Sequence, residues 1–308
     1  MRLSRWFVFR PVSVLACAFT LLSGSRVLAG PQPAVTMEDS SLSAPSNLTL
    51  GNFFTEGWNQ AWTHRANPDA APDMALLRVQ TNFLEREFRF DFASTRNIPG
   101  AGKQNVQFLD GLVAYSFNRR FMLEVVGSYE WDEYRMVNGR DGGGAAIVGR
   151  LQLIDLPGVS YSLTMRATSP DPDIGMQDTT ISAALAGWHD LTPLGLSRTG
   201  LYFHVQEETY VGPGPAGTKR NDLTYDVSLA KTWTRPDMPV FGNFTTFVEG
   251  YGVTNLDGAA KNLTTVTVTP GFRTTLFHNN VLMAGVDIPV TGPRPEGAIY
   301  RVTYIINF

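Results

Sequence analysis

A hydrophobic alternation with a period of two residues runs from about residue 76 to the end of the chain. It limits the fold more than any other feature. Successive side chains of a strand point to opposite faces, so apolar residues at every second position predict strands with one apolar face. The last run shows the pattern most clearly. One phase carries Tyr300, Val302, Tyr304, Ile306 and Phe308, and the other carries Arg301, Thr303, Ile305 and Asn307.

Twelve runs of this kind follow one another, separated by turn-forming Gly, Pro, Asn and Asp. The first run is longer than the others, and its phase slips between Leu84 and Arg86, which predicts a β-bulge. The predicted strands lie near residues 77–94, 106–117, 121–134, 144–154, 159–168, 177–188, 200–210, 222–233, 242–253, 262–276, 281–290 and 298–308.

Soluble β-sandwiches alternate in the same way, but three details favour a barrel that crosses a membrane. The runs are about 9 to 14 residues long, which suits strands tilted across a bilayer. Charged residues make up 17% of the chain, against about 25% in soluble domains, and an apolar outer phase accounts for the deficit. Aromatic residues cluster near run ends, as in the girdles of membrane barrels: Tyr129 with Trp131, Phe272 with Phe277, and Tyr300 with Phe308.

The overall balance of residues excludes other classes. A mean hydropathy of −0.08 is too low for a helical membrane protein. A net charge of −3 gives no basic surface for nucleic acid. The sequence therefore predicts an all-β fold: a transmembrane up-and-down antiparallel β-barrel of about 12 strands over residues 76–308, with a short periplasmic N-terminal segment.

The connections between runs predict which end faces the periplasm. Outer-membrane barrels have short periplasmic turns and longer outer loops, and we place the chain end, Phe308, on the periplasmic side. The predicted periplasmic turns are 118–120, 155–158, 189–199, 234–241 and 278–280. The predicted outer loops are 95–105, 136–143, 169–177, 211–221, 254–261 and 291–297.

The first 29 residues have the pattern of a secretory signal peptide. Basic residues precede an apolar run, and the small-residue motif at 27–29 marks a cleavage site before Gly30. A transmembrane anchor is the alternative, but the apolar run is shorter than the roughly 18 residues that a span needs. A lipoprotein site at Cys17, the only cysteine, is a further alternative.

Residues 30–75 form a different region. Its first part is rich in Pro, Ser and Ala and is expected to be a periplasmic linker. Phe54, Trp58 and Trp62 then follow at intervals of four and would form one stripe on a helix. Two interpretations stay open: a short helix that plugs the barrel or lies at the membrane interface, or an extra strand or aromatic lid packed under the barrel.

The predicted signal peptide, the repeated alternation and the aromatic-ended terminal strand resemble a Gram-negative outer-membrane β-barrel protein. Within that group, "GVDIPVTGP…IYRVTYIINF" is similar to the small-porin and transporter-like family of the MetA-pathway phenol-degradation proteins. The resemblance implies an outer-membrane location. It also implies that Tyr300, Val302, Tyr304, Ile306 and Phe308 form the signal that the outer-membrane assembly machinery reads.

The polar phase of the strands carries the candidate functional residues, because it faces the lumen. Lumen charges favour a channel for passive passage of small solutes. The alternative is a closed barrel with a structural or surface-interaction role, whose charges pair across the lumen. The predicted lumen-lining residues are Glu87, Arg89, Asp91, Asp110, Glu124, Glu130, Asp132, Arg150, Arg166, His204, Glu208, Asp226, Glu249, Arg273, Asp287 and Arg301.

An enzyme is the third alternative, and the sequence disfavours it. A hydrolase needs a nucleophile beside a histidine, and His204, although inward and near Glu208, has no serine motif beside it. Asp171, Asp173 and Asp178 lack the spacing of a calcium loop, so neither a metal nor a cofactor is expected. The predicted partners are the lipid bilayer and lipopolysaccharide, the assembly machinery and an unidentified small solute.

Overall fold

The computed structural model describes residues 45–63, 69–95, 106–132, 142–170, 179–212, 221–238, 240–277, 279–291 and 297–308. The predicted signal peptide and most of the linker lie outside these residues. The strands are β1 (Arg86–Thr95), β2 (Val106–Ser116), β3 (Phe121–Asp132), β4 (Gly142–Leu156), β5 (Val159–Thr168), β6 (Thr179–Asp190), β7 (Thr199–Val211), β8 (Asn221–Thr232), β9 (Val240–Asn255), β10 (Thr264–Leu276), β11 (Asn280–Pro289) and β12 (Ile299–Asn307).

The twelve strands close into one antiparallel barrel. Each strand pairs with its neighbours in sequence, and β1 pairs with β12 from Glu87 opposite Asn307 to Thr95 opposite Ile299. Closure removes the free edges that an open sheet would expose. Register shifts occur in β4 near Gln152 and in β10 after Arg273. The predicted fold class is confirmed.

The barrel exterior is apolar. Side chains alternate along each strand between an exposed apolar phase and a less exposed phase that faces the interior. This arrangement puts hydrocarbon against lipid and polar groups in the lumen. In the described part of the chain, helices long and apolar enough to cross a membrane are absent. The exposed phase includes Val125, Ile147, Met165, Ile181, Leu185, Val205, Val227, Leu229, Val248, Val302 and Ile306.

The two ends of the barrel differ in their connections. The end that carries Phe308 has short turns, such as residues 157–158 between β4 and β5. The longest connection at this end, residues 191–198, contains a 3-10 helix at Thr192–Leu194 that ends at Gly195 with φ 85°. Because short turns lie on the periplasmic side of outer-membrane barrels, we call this end the periplasmic end and the opposite end the outer end.

The first strand begins at Arg86 and not near residue 77, as the alternation predicted. Residues 69–85, the lumen segment, have an irregular backbone and pack inside the barrel. Leu76, Val79 and Leu84 are each at most 5% exposed. The segment is rich in apolar residues because its side chains pack against the lumen wall, and this composition predicted part of a strand. The phase slip near Leu84 marks the point where the chain leaves the lumen and joins the sheet.

Residues 46–62 cover the periplasmic end. Leu48 forms an isolated antiparallel bridge with Asp155, through backbone hydrogen bonds of 3.1 and 3.0 Å. The fully buried Arg120 holds this segment from the β2–β3 turn. Its guanidinium donates to the carbonyl oxygens of Glu56, Gln152, Leu153, Thr49 and Asn52 at 2.9 to 3.2 Å.

The three aromatic residues of the predicted stripe do not share one face. Residues 51–55 form turns and not a helix. Phe54 is 88% exposed, whereas Trp62 packs against the cluster around Leu84 and donates its indole N–H to the Leu84 carbonyl at 3.0 Å. Trp58 donates its indole N–H to the Phe53 carbonyl at 2.6 Å. This arrangement matches the lid interpretation more closely than the helical one.

Candidate functional site

The lumen segment fills the periplasmic half of the barrel interior. It forms apolar clusters with more than one wall, so it crosses the lumen from side to side. Ala75 packs against Val281, Met283 and Ile305 of β11 and β12. The largest cluster joins Ala71, Met74, Leu76 and Val79 to Trp188, Tyr202, Ala230 and Phe247 of β6 to β9.

Polar groups of the wall hold the backbone of the lumen segment. Both carboxylate oxygens of Glu249 accept the N–H of Arg78, at 3.1 and 3.2 Å, and one of them also accepts the N–H of Val79 at 3.0 Å. Glu249 is fully buried. The next N–H, of Gln80, donates to Nδ1 of His204 at 3.0 Å. These bonds satisfy an irregular backbone that has no strand partner.

The carbonyl oxygens of the same segment are bound as well. Arg150 donates to the carbonyl of Phe83 at 2.9 Å, and Gln152 donates to that of Asn82 at 3.2 Å. The Tyr202 hydroxyl donates to the carbonyl of Pro72. Donors from β4 and β7 therefore hold the segment from two directions. Every one of these contacts is non-covalent.

An ion cluster lies on the side of the lumen segment that faces the outer end of the barrel. Oδ2 of Asp287 accepts from the guanidinium of Arg78 at 2.9 Å and from that of Arg301 at 2.7 Å. Thr269 donates to Oδ1 of Asp287 at 2.7 Å. The guanidinium carbon of Arg78 also lies 4.2 Å from the centre of the Tyr251 ring. Arg78 therefore joins the segment to β9 and β11 together.

A cavity of about 390 Å³ lies in the outer half of the lumen, on the outer side of Arg78. We call it the vestibule. Its wall is the continuous part of the barrel formed by β9, β10, β11, β12, β1 and β2. Its lining residues are Arg78, Asp91, Ala93, Thr95, Phe108, Asp110, Tyr251, Val253, Thr265, Val266, Thr267, Pro289, Thr291, Ile299 and Arg301.

The sixteen charged and histidine positions selected from the sequence lie on the strands as follows. All except Asp132 belong to the phase that faces the interior, and the side chain of Asp132 lies outside the described residues. Three arginines pair with acids on this list: Arg89 with Asp91 at 2.7 Å, Arg150 with Glu124 at 3.8 Å, and Arg301 with Asp287. Part of the lumen charge is thus paired, as the closed-barrel alternative requires.

In the described part of the chain, neither His189 nor His204 is hydrogen-bonded to a serine. Nδ1 of His204 accepts a backbone N–H, and His204 pairs across the ladder with Asp226, while Glu208 lies further along β7. Nε2 of His189 lies 2.7 Å from the Tyr161 hydroxyl. His64, His278, Asp171, Asp173 and Asp178 lie outside the described residues. Within the described ranges, groups of three or more potential metal ligands were not found.

Asp73 is a buried carboxyl in the lumen segment, outside the strands. Burial raises its pKa to about 8, and a hydrogen bond from Nδ2 of Asn82, at 3.1 Å, offsets part of this rise. The charged form is disfavoured because the low-dielectric surroundings solvate it poorly. The neutral form of Asp73 therefore suits the docked lumen segment.

Sequence reasoning missed Arg78, which closes the floor of the vestibule. Arg78 lies in the apolar run that predicted the first strand, directly after Leu76 and Leu77. The one available signal was the length of that run, which exceeds the span of a single strand. Arg120 was missed as well, because residues 118–120 were predicted only as a periplasmic turn.

The comparisons with known proteins bear on the fold. The COG4313 outer membrane channel from Pseudomonas putida F1 superposes with a TM-score of 0.52 at 11% identity, covering 80% of this chain and 100% of that one. A KdgM porin in complex with disordered oligogalacturonate gives a TM-score of 0.49 at 11% identity, covering 72% of this chain and 99% of that one. LpxR from Salmonella typhimurium gives 0.43 at 10% identity, covering 72% and 100%.

The similarity to the COG4313 channel shows the fold of an outer-membrane β-barrel, and the apolar exterior is consistent with that fold. The sequence matches no family model. It matches none of the curated proteins either. The resemblance to the MetA-pathway family accordingly stays a prediction.

Proposed function

We propose that the protein is an outer-membrane channel for passive passage of small solutes, and that the lumen segment sets its conductance. The observation that carries the proposal is the vestibule. A cavity with both polar and apolar lining opens within the outer half of the lumen and ends on Arg78, a residue of a segment that non-covalent contacts hold against the wall. A solute that reaches this floor passes further when the segment shifts from the wall.

The composition of the interior supports this proposal. A solute-conducting lumen needs polar groups along its wall, and the inward phase supplies them from β1 to β12. Outer-membrane channels and porins share the fold, which is consistent with the same role. The proposal includes residence in the outer membrane, contact with lipopolysaccharide, and insertion by the outer-membrane assembly machinery through the outward aromatic phase of β12.

Liposome swelling tests the proposal. Purified protein is reconstituted into liposomes, and the rate of swelling is measured with neutral solutes of increasing size. We expect swelling with the smallest solutes and a sharp decrease as size increases, because the lumen segment narrows the path. Absence of swelling with any solute would contradict the channel proposal.

One observation favours a second candidate, a closed barrel with a structural or surface role. The apolar clusters around the lumen segment leave little room for water in the periplasmic half. Under that candidate, neither the intact protein nor a variant with a weakened segment would conduct. Catalysis has no comparable support, because the inward histidine at 204 binds backbone.

A further inference from the structure

The ion cluster at the floor of the vestibule is built around one carboxylate. Two guanidinium groups, from Arg78 and Arg301, share a single oxygen of Asp287. The other oxygen of Asp287 accepts from Thr269, so this carboxylate is fully used. Two guanidinium groups thus share one carboxylate at the cavity, while the carboxylate of Glu249 is bound to the backbone N–H groups of Arg78 and Val79.

Both guanidinium groups keep unused donors. Within the described part of the chain, Nε of Arg78 has no hydrogen-bond partner but is buried away from the cavity, so Nη1 is the donor that Arg78 offers to a ligand. Arg301 uses Nε for Asp287, and its two Nη groups make no hydrogen bond to the described residues. Both side chains line the vestibule and stay partly exposed, by 17% and 23%. Planar guanidinium donors of this kind match a carboxylate, which they bind through paired hydrogen bonds.

The rest of the vestibule selects against a highly charged ligand. Asp91 already binds Arg89 at 2.7 Å and accepts from Thr303. Asp110 also lines the cavity, so a second negative group on a ligand would meet a like charge. Phe108, Val253 and Ile299 form an apolar part of the wall of the same cavity. A volume of about 390 Å³ suits a small organic molecule.

We infer that the vestibule is a binding site for small organic monoanions. The carboxylate of the ligand binds between Arg78 and Arg301, and its apolar body lies against Phe108, Val253 and Ile299. The inference extends the proposed channel function by naming its class of solute. Only the passage of the bound solute through the lumen rests on that function. Since Arg78 belongs to the lumen segment, a bound carboxylate also competes with Asp287 for the group that joins the segment to the wall.

Calorimetric titration of the full chain in detergent, at low ionic strength, tests the inference. Butyrate is the probe, and butyramide and butylamine are its neutral and cationic counterparts. We expect butyrate to bind more tightly than either. Arg301→Gln removes one guanidinium and should weaken butyrate binding by about tenfold, as the loss of one charge-assisted hydrogen bond implies. Low salt is needed because counterions screen partly exposed charges.

Two further variants make the result specific. Arg235→Gln has the same charge change but lies in an exposed turn at the periplasmic end, paired with Asp237, and should leave butyrate binding unchanged. Asp110→Asn removes a like charge from the vestibule and should tighten butyrate binding several-fold. If Arg301→Gln does not fold, as judged by heat-dependent gel migration, the Asp110→Asn variant still decides the question.

Three results would overturn the inference: undetectable butyrate binding, binding of butyramide as tight as that of butyrate, or equal effects of the two arginine variants. Tighter binding of butylamine would assign the site to cations and would overturn it as well. Failure of the channel function is seen separately. Butyrate binding without any liposome swelling would refute the channel function and support the binding site. Swelling without butyrate binding would refute the binding site and support the channel function.

Discussion

Replacing Glu249 by leucine should release the lumen segment. Glu249 is fully buried, and its carboxylate accepts the backbone N–H groups of Arg78 and Val79 at 3.0 to 3.2 Å. Leucine is similar in size but has no acceptor, so both N–H groups lose their partner. A buried unsatisfied donor costs about 1 to 3 kcal/mol. Docking of the segment should therefore weaken by about 2 to 6 kcal/mol, and even the lower value is about 30-fold in the docked-to-released ratio.

A cysteine reporter measures this change directly. Ala75 is 2% exposed in the docked segment, and Cys17, the only cysteine of the chain, lies in the predicted signal peptide. We place Ala75→Cys in the protein and record its rate of reaction with a water-soluble maleimide. When opening and closing are fast, that rate follows the released fraction. Glu249→Leu should raise it by about 30-fold or more, and Glu249→Gln, which keeps one acceptor oxygen, should raise it less.

Glu208→Gln is the matched control, because Glu208 also faces the interior but lies further along β7 towards the outer end than His204. It should leave the labelling rate unchanged. The reasoning would be refuted if Glu249→Leu folded into a normal barrel and its reporter reacted no faster than in the parent. That result would mean that the apolar clusters alone hold the segment, and that the buried N–H groups find other partners.

Three more predictions concern pH, packing and the membrane face. The pKa of Asp73 is raised from 3.8 to about 8, so the docked state binds more protons than the released state, and docking should weaken as pH rises from about 4 to 8. The Ala75→Cys labelling rate, divided by that of an unstructured cysteine peptide at the same pH to remove the effect of thiolate formation, should increase over this range. Asp73→Asn should remove this increase, whereas an increase that persists would implicate another group. A Cβ at Gly285 would lie 2.5 Å from Cδ1 of Leu77 and 3.0 Å from a backbone oxygen, so Gly285→Ala should weaken docking by about 1 to 3 kcal/mol and speed labelling. An unchanged labelling rate would show that the Leu77 side chain moves aside without cost. Val227 lies in the middle of β8, 52% exposed on the apolar exterior, so Val227→Arg should destabilise the membrane-inserted barrel by about 2 to 4 kcal/mol in denaturant titrations, while unaltered stability would argue against lipid contact there.

The strands were predictable because the membrane imposes a strict rule on them. Lipid on one side and polar groups on the other require alternation, and this requirement placed β5 at residues 159–168, as observed. The boundaries of the other strands after the first differ from the prediction by a few residues. The side of the sheet that each side chain faces follows from the same rule, so Arg301 and Asp287 could be assigned to the lumen before their partners were known.

The lumen segment was not predicted, because its apolar residues continue into the first strand, and only the excess length and the phase slip of that run distinguish the two. Leu76 and Val79 contact protein inside the barrel, whereas Phe88 and Phe90 face outwards, yet all four lie in one continuous run rich in apolar residues. The carboxylate that binds the segment comes from residue 249, far away in sequence. Contacts of this kind depend on the closed barrel, so a local sequence pattern does not predict them.

Single-channel recording in planar bilayers tests the central claim most directly. The intact chain is compared with a variant that lacks residues 46–84, which removes the lumen segment and the cover of the periplasmic end but keeps every strand. We predict discrete conductance steps for both proteins, several-fold larger for the deletion variant because its periplasmic half is no longer filled. Absence of steps from both proteins, in any salt, would contradict the claim that this barrel is a channel.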